Sequence, residues 1–220
     1  MTIRCVLPVR AARARRWAIP LASALLAAAC SVMAPAPADA PVLHVLDATP
    51  VAAAAPAARP LVLEVATPRA APGFDTAAMA YVRKAHVVDY YAVHRWVEPP
   101  AQMLAPLLVR ALEDTRAFRA VVRDTTGVRA DVRLDTELLR LQQSFAGRPS
   151  RAEVALRAQL VDVGSRRVVA TRTIEVARDA PSDDPDGGAA AANAAVAHAL
   201  GEVAAFAVTA SADVAPRAAP

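Results

Sequence analysis

Cysteine and glycine are scarce in this 220-residue chain, which contains 2 cysteines and 7 glycines. Cys5 lies near the N-terminus and Cys30 follows the first apolar stretch, so the sequence beyond residue 30 has no thiol for a disulfide, a metal site or catalysis. The sequence also contains no phosphate-binding glycine loop, no dinucleotide fingerprint and no nucleophile elbow. These absences count against nucleotide-dependent enzymes and serine hydrolases.

Acidic residues are absent from the first 29 positions. This segment has an apolar stretch from residue 17 to 29, preceded by five arginines: Arg4, Arg10, Arg13, Arg15 and Arg16. A basic start, a short apolar run and small residues at its end are typical of a bacterial export signal. The run is too short for a permanent membrane-spanning helix, which needs about twenty residues. We therefore predict that residues 1–29 form a cleaved signal peptide.

Cys30 stands directly after this signal, in the context LLAAAC, which resembles a lipobox. In that motif the cysteine thiolate accepts a diacylglyceryl group before the signal is cleaved. The alternative is ordinary cleavage after Ala27-Ala28-Ala29, which would release a soluble periplasmic protein. From the lipobox context we predict that Cys30 carries a diacylglyceryl and an N-acyl lipid. Two or three acyl chains would anchor the protein firmly in a membrane. Ser31 at the next position indicates sorting to the outer membrane, and no other cofactor is predicted.

Positive charge is in excess only while the signal is attached. The whole chain has 25 basic and 21 acidic residues, and removing the five arginines of the signal leaves 20 against 21. Nucleic-acid binding needs a persistent basic surface. We therefore predict no nucleic-acid partner.

The composition divides the chain into four parts. Residues 1–29 are the signal, and residues 30–60 are rich in alanine and proline, which predicts a lipidated linker. Within that linker, VLHVLD at 42–47 has the pattern of a short strand. Residues 61–215 are long enough for a single domain, and residues 216–220 are predicted to be a disordered tail.

Hydrophobic periodicity in the domain predicts strands, a helix, a strand meander and a second helix. Strands are predicted near 61–66, 79–83, 86–93, 118–122, 131–145, 152–160 and 168–177, and helices at 100–116 and 189–209. In the strand from 131, the alternation changes phase after Leu138, as a β-bulge would produce. The pattern predicts an α+β fold, a two-layer sandwich of mostly antiparallel sheet with two helices packed on one face.

The polar residues do not form a recognisable catalytic or metal-binding pattern. None of the four histidines (His44, His86, His94 and His198) has a His, Cys or carboxylate neighbour at metal-ligand spacing. No pair of polar residues offers an acid, a base or a nucleophile, so we predict neither an enzyme nor a metalloprotein. The acidic loop at 183–186 is interpreted as the cap of the last helix.

The aromatic residues are the candidate partner-binding residues. Beyond residue 29 the chain has eight aromatics, and half of them are Tyr81, Tyr90, Tyr91 and Trp96. On exposed strands they would dock a partner or a lipid tail, and the alternative is that they fill the core. The nearby stretch HRWVEPPAQML is predicted to be a strand-to-helix corner, because its prolines favour extended backbone and then a first helical turn.

Several segments together resemble the family of ABC-type transport auxiliary lipoproteins. They are the lipobox at Cys30, the block at 72–122, the meander from Asp131 and the alanine-rich segment 190–207. Family features are matched by Tyr81, Arg83, Tyr90, Tyr91, Arg95, Trp96, Pro100, Phe118 and Asn193. The chain departs from the family pattern at Leu43 and His44, where a tyrosine pair is usual, at Pro106, and at Phe206, where a tryptophan is common.

The resemblance implies an outer-membrane lipoprotein that works with an inner-membrane permease complex containing an MCE-domain, substrate-binding subunit. Such systems move lipids across the periplasm, and this chain would be their tethered docking module, alone or as a homo-oligomer. A regulator of a cell-envelope enzyme, such as a peptidoglycan synthase, is the alternative. An MCE-domain gene beside this one would favour the transport role.

Overall fold

The computed structural model describes residues 40–50, 54–55, 57–124 and 127–216. The predicted signal peptide, the predicted lipidation site Cys30 and most of the predicted tail lie outside these residues.

Nine strands and two long helices make up the described fold. The strands are β1 (Val42–His44), β2 (Arg59–Val65), β3 (Arg69–Ala70), β4 (Ala78–Lys84), β5 (Val87–Trp96), β6 (Phe118–Arg123), β7 (Val132–Ser144), β8 (Arg151–Asp162) and β9 (Arg167–Asp179). The helices are α1 (Pro100–Asp114) and α2 (Pro185–Ala210), and a short 3-10 turn spans Pro72–Phe74. An α+β fold is therefore confirmed.

Strand β7 is the centre of the sheet. On one side it pairs with β8, and β8 pairs with β9, which gives the predicted antiparallel meander. The predicted bulge is also present, as a register shift between Leu138 and Arg140. On its other side β7 pairs successively with β2, β3 and β4, all parallel to it. The segment from β2 to β4 thus runs alongside one long strand.

The predicted mostly antiparallel, flat two-layer sandwich is wrong. Five of the eight strand pairings are parallel and three are antiparallel, and the sheet curls into a half-barrel. Alternating residues report which face of a strand is buried, but they carry no information about the direction of its neighbour. Register shifts in four of the pairings increase the local twist and so favour curling over a flat layer.

The corner before α1 forms as its prolines predict. β5 ends at Trp96, Pro99 is extended (φ −52°, ψ 131°), and Pro100 starts the helix. The helix then runs through Pro106, whose exposed position lets water satisfy the carbonyl that loses its partner. Its buried face carries Leu104, Leu108 and Leu112 into the core.

Helix α2 begins with a polar cap and continues as a buried, alanine-rich helix. The Asp184 side chain accepts a hydrogen bond from the Gly187 N–H (2.7 Å), which confirms the predicted capping role of the acidic loop. By length and composition α2 would suffice to cross a membrane, but 56% of its most apolar window is buried in the fold. Both helices share one hydrophobic core with the sheet and pack against each other.

The segment after β1 also belongs to this core. Leu46 and Ala48 are buried, although they fall in the part of the sequence predicted to be linker. The Asn193 amide holds this segment on α2, accepting from the Asp47 N–H (2.9 Å) and donating to the Val45 carbonyl (3.0 Å). The chain is therefore fixed to the domain from β1 onward.

Candidate functional site

A continuous row of aromatic rings lies where β1, β4, β5 and the end of β7 meet the start of α2. Six rings contact one another in the order Phe145, Tyr81, Tyr91, His94, His44 and Trp96, and we name them the ring row. The centroid distances along it are 6.2, 4.5, 6.1, 5.3 and 6.3 Å. Edge-to-face and tilted contacts at these distances are favourable for aromatic pairs.

Strand pairing explains why the rings meet. The β4–β5 hairpin opposes Tyr81 to Asp89 and Ala80 to Tyr90, which brings Tyr91 close to Tyr81. Parallel pairing of β1 with β5 opposes His44 to Trp96, so that His44 lies diagonally across from His94. The row is therefore a product of the sheet and not of any single sequence motif.

One end of the row is open and carries a cation. Tyr81 and Phe145 are half-buried, and the exposed Arg83 guanidinium lies 5.2 Å from the Tyr81 ring centroid and 5.4 Å from that of Phe145. A guanidinium over two ring faces is held in place by cation–π attraction. This end presents aromatic surface and a positioned positive charge to solvent.

The middle of the row is fixed by a buried amide. The Tyr91 hydroxyl donates to the Gln143 Oε1 (2.8 Å), and the Gln143 Nε2 donates to the Ser150 hydroxyl (2.9 Å) and to the Asp184 carbonyl (3.1 Å). Burial foremost raises the pKa of Tyr91 to about 12, so the phenol stays protonated and acts as a donor. Gln143 thus connects the ring row to the cap of α2.

The polar loop beside this amide is also hydrogen-bonded to the backbone. The Ser150 N–H donates to an Asp183 carboxylate oxygen (2.6 Å), and this bond lowers the pKa of Asp183. The pKa of Asp184 is lowered chiefly by the hydrogen bond from Gly187. Both carboxylates therefore act as anionic acceptors that order the entry to α2.

Two histidines stand next to each other near the buried end of the row. The His44 Nε2 lies 3.0 Å from the His94 Nδ1 and 3.8 Å from a carboxylate oxygen of Asp186 in the first turn of α2. The His44 side chain is only 11% exposed, and burial is the main cause that lowers its pKa. No sequence motif predicts this cluster, because 50 residues separate the two histidines.

The structure separates the four predicted partner-binding residues. Tyr81 and Tyr91 contact each other in the row, and Trp96 ends it as a buried residue. Tyr90 points away from the row, because neighbouring strand residues alternate between faces, and its hydroxyl donates to the Gly73 carbonyl (2.8 Å). Sequence reasoning did not predict the contributions of Phe145, His44 and His94.

Exposed apolar residues flank the site. In the described sheet β1 is an edge strand. Val42 and Leu43 in β1 are 43% and 58% exposed, and Val45 directly after it is 49% exposed. Val97, directly after β5, is 42% exposed. An edge strand with an apolar surface is suited to binding another protein.

The sequence model of a protein family described as the ABC-type transport auxiliary lipoprotein component matches residues 44–204. Among solved structures, the chain is similar to protein XCC0632 from Xanthomonas campestris, with 28% identity and a TM-score of 0.69, over 77% of this chain and 95% of that one. A second structure, of an uncharacterized protein, has 13% identity and a TM-score of 0.58, over 76% and 99% of the two chains. A comparison with curated proteins found no match.

Proposed function

This chain belongs to the family of ABC-type transport auxiliary lipoproteins, and from this premise we propose that it is a non-enzymatic outer-membrane component of an MCE-type system that transports lipids between membranes. Cys30 carries the lipid anchor in this proposal. The domain docks an MCE-domain subunit that is attached to an inner-membrane permease complex.

The observation that carries the docking role is the open end of the ring row. Tyr81 and Phe145 are held rigidly by ring contacts, and Arg83 is positioned over both of them. Aromatic residues and arginine are the side chains most enriched at binding hot spots. A preorganised patch of this kind loses little conformational entropy when a partner covers it.

The predicted binding residues take different roles in this proposal. Tyr81 contacts the partner directly, whereas Tyr91 packs against Tyr81 from the half-buried middle of the row. Trp96 is 4% exposed and acts only by holding the β5 end and its histidines in place. Tyr90 is 43% exposed on the other side of β5, where it would meet a different surface of the assembly, such as a second copy of this chain.

The linker supports a tethered mode of action. Eleven residues lie between Cys30 and Val42 at the start of β1, and their composition is rich in alanine and proline. Proline-rich linkers span about 3.1 Å per residue, so the domain would stay within roughly 40 Å of the membrane surface. Such confinement raises the effective concentration of the domain for a partner that reaches the same membrane.

Site-specific photocrosslinking in intact cells tests the proposal. A photoreactive residue at Ala146 should capture the MCE-domain subunit, because this exposed position lies next to Phe145 and its substitution leaves Arg83 in place. The matched control is the same residue at Val168, which is 53% exposed on the far edge strand β9. Equal capture from both positions, or capture of a peptidoglycan enzyme at Ala146 instead, would contradict the proposal.

A further inference from the structure

We propose that His44, His94 and Asp186 bind one divalent transition-metal ion of the zinc class. Their ligand atoms, two imidazole nitrogens and one carboxylate oxygen, all lie within 4.8 Å of one another. The three residues come from β1, β5 and the first turn of α2, so only the folded chain assembles the site. The inference does not depend on the proposed transport function.

The spacing of the two imidazoles is close to what a tetrahedral site requires. With metal–nitrogen bonds of about 2.0–2.1 Å, two ligand nitrogens in a tetrahedral site lie about 3.3 Å apart. The observed separation of 3.0 Å between His44 Nε2 and His94 Nδ1 needs only a small widening. The Asp186 oxygen at 3.8 Å from His44 needs a small approach, which its exposed side chain is free to make.

Metal binding at these two nitrogens requires one of the imidazoles to change its tautomer. At 3.0 Å one ring nitrogen donates a proton and the other accepts it. For an ion to take the place of that proton, the donating ring loses the proton to water and gains one on its other nitrogen, so that His44 holds its hydrogen on Nδ1 and His94 holds its hydrogen on Nε2. Each ring then offers a lone pair to the metal and remains neutral, so no proton is lost overall.

The donor set selects the class of metal. Two imidazoles and one carboxylate suit zinc and the neighbouring late transition metals, whereas calcium and magnesium prefer sites made of oxygen alone. Three protein ligands leave a fourth tetrahedral position for water or for a side chain of a partner. Asp186 also supplies the negative charge that offsets part of the charge of a divalent ion.

The surroundings restrict the two histidines. The His44 side chain is 11% exposed, stacks on His94 and contacts the edge of the buried Trp96. The Tyr91 ring also contacts His94, with the ring centroids 6.1 Å apart. Packed rings cannot adopt many rotamers, so the two nitrogens stay directed toward the same point.

An ion at this position would bind the start of the domain to its core. β1 has only three residues and a single neighbour, β5, in the described sheet, and it lies within the segment predicted to be linker. A bound metal would connect β1 to both β5 and α2. Because the ion binds the folded state and not the separated ligands, it should raise thermal stability.

Calorimetric zinc titration of the mature, detergent-solubilised protein without a histidine tag tests the site. We expect uptake of one zinc ion per chain and visible absorption bands of tetrahedral cobalt when Co²⁺ replaces zinc. Substitution even of outer-shell partners typically weakens metal affinity by about 10–100-fold. His44→Gln, His94→Gln and Asp186→Asn should therefore each weaken zinc binding at least about tenfold, and should reduce the rise in melting temperature at a given zinc concentration.

His198→Gln is the matched control. His198 is exposed and lies 3.4 Å from Glu202, so it is a second histidine–carboxylate pair outside the site. Its substitution should leave zinc binding unchanged. The proposal is overturned if the unsubstituted protein takes up no zinc in a saturable manner, or if His198→Gln weakens binding as much as the others. The Asp186 side chain is 75% exposed, so Asp186→Asn should fold normally. Its zinc affinity therefore tests the site even if a histidine variant does not fold.

Discussion

The side chain of Gln143 occupies the space that a Cβ atom on Gly188 would need. Gln143 is buried and its amide is held by three partners, the Tyr91 hydroxyl, the Ser150 hydroxyl and the Asp184 carbonyl. The absence of a side chain at Gly188 therefore allows the first turn of α2 to lie directly on β7. This contact connects the ring row to the helix that carries Asp186.

Gly188→Ala should destabilise the fold, although a helical glycine replaced by alanine normally gains about 1 kcal/mol. The new methyl group would collide with Gln143, which cannot move without losing its hydrogen bonds. Overpacking of this kind costs about 1–3 kcal/mol, so urea unfolding should show a net loss of stability. Gly147→Ala is the control, because a Cβ at Gly147 meets nothing within 4 Å. Equal stability of both variants would contradict the steric argument.

Tyr91→Phe should lower the free energy of unfolding more than Tyr90→Phe does. The Tyr91 hydroxyl is the donor to Gln143 Oε1, and its removal leaves a buried acceptor without that hydrogen bond. An unsatisfied buried polar group costs about 1–3 kcal/mol. The Tyr90 hydroxyl bonds an exposed carbonyl that water can satisfy instead. Chemical denaturation of both variants measures the difference. Equal decreases in the free energy of unfolding would contradict the argument that the hydrogen bond from Tyr91 to Gln143 stabilises the fold.

Acidification should destabilise the loop before α2. The folded-state pKa values of Asp183 and Asp184 are lowered, by backbone hydrogen bonds from Ser150 and Gly187 respectively. As pH falls, the two carboxylates therefore bind protons in the unfolded chain before they do so in the folded protein. Their contribution to folding stability is present above the ordinary carboxyl pKa and is lost as pH falls through the lowered pKa values.

Asp184→Asn should retain the cap at neutral pH, since asparagine caps helices as well as aspartate. It should weaken the decrease in melting temperature on acidification below about pH 4. Asp114→Asn, an exposed substitution at the end of α1, should leave that decrease unchanged. A pH profile that is identical in all three proteins would refute the assignment.

Cys30→Ala should yield a folded protein that is lost from the membrane fraction, because the acyl chains supply the predicted anchorage. Cell fractionation with immunoblotting measures this change, and metabolic labelling with a palmitate analogue should label the unsubstituted protein and Cys5→Ala but not Cys30→Ala. Cys5→Ala is the control, since Cys5 lies within the predicted signal peptide. A Cys30→Ala variant that stays acylated and membrane-bound would disprove lipidation at this position.

The local sequence predicted most elements of the fold because their signals are local. The prolines at 99 and 100 predicted the start of α1. The acidic loop was predicted to cap α2, although α2 begins at Pro185, four residues before the predicted start at residue 189. The phase change after Leu138 defined the bulge in β7. Each of these signals depends on the backbone preferences or burial of a few neighbouring residues.

The candidate site was only partly predictable, because several of its contacts join residues that are distant in the sequence. Tyr81 and Tyr91 were found because aromatic residues cluster in the β4–β5 hairpin, where sequence neighbours are also spatial neighbours. His44 was assigned to a possible short strand, but nothing in its sequence context indicated that β1 pairs with β5 next to His94. Phe145 joins the row only because β7 runs parallel to β4.

The sequence by itself determined the family, the order of most helices and strands, and the predicted export and lipidation signals, since these are encoded in local composition and spacing. Only the tertiary structure decided that the sheet is mixed and curled, that the aromatic rings form a row, and that His44, His94 and Asp186 meet. The physical reason is that strand direction and the approach of distant side chains are fixed by packing of the whole core, where no single segment carries the information.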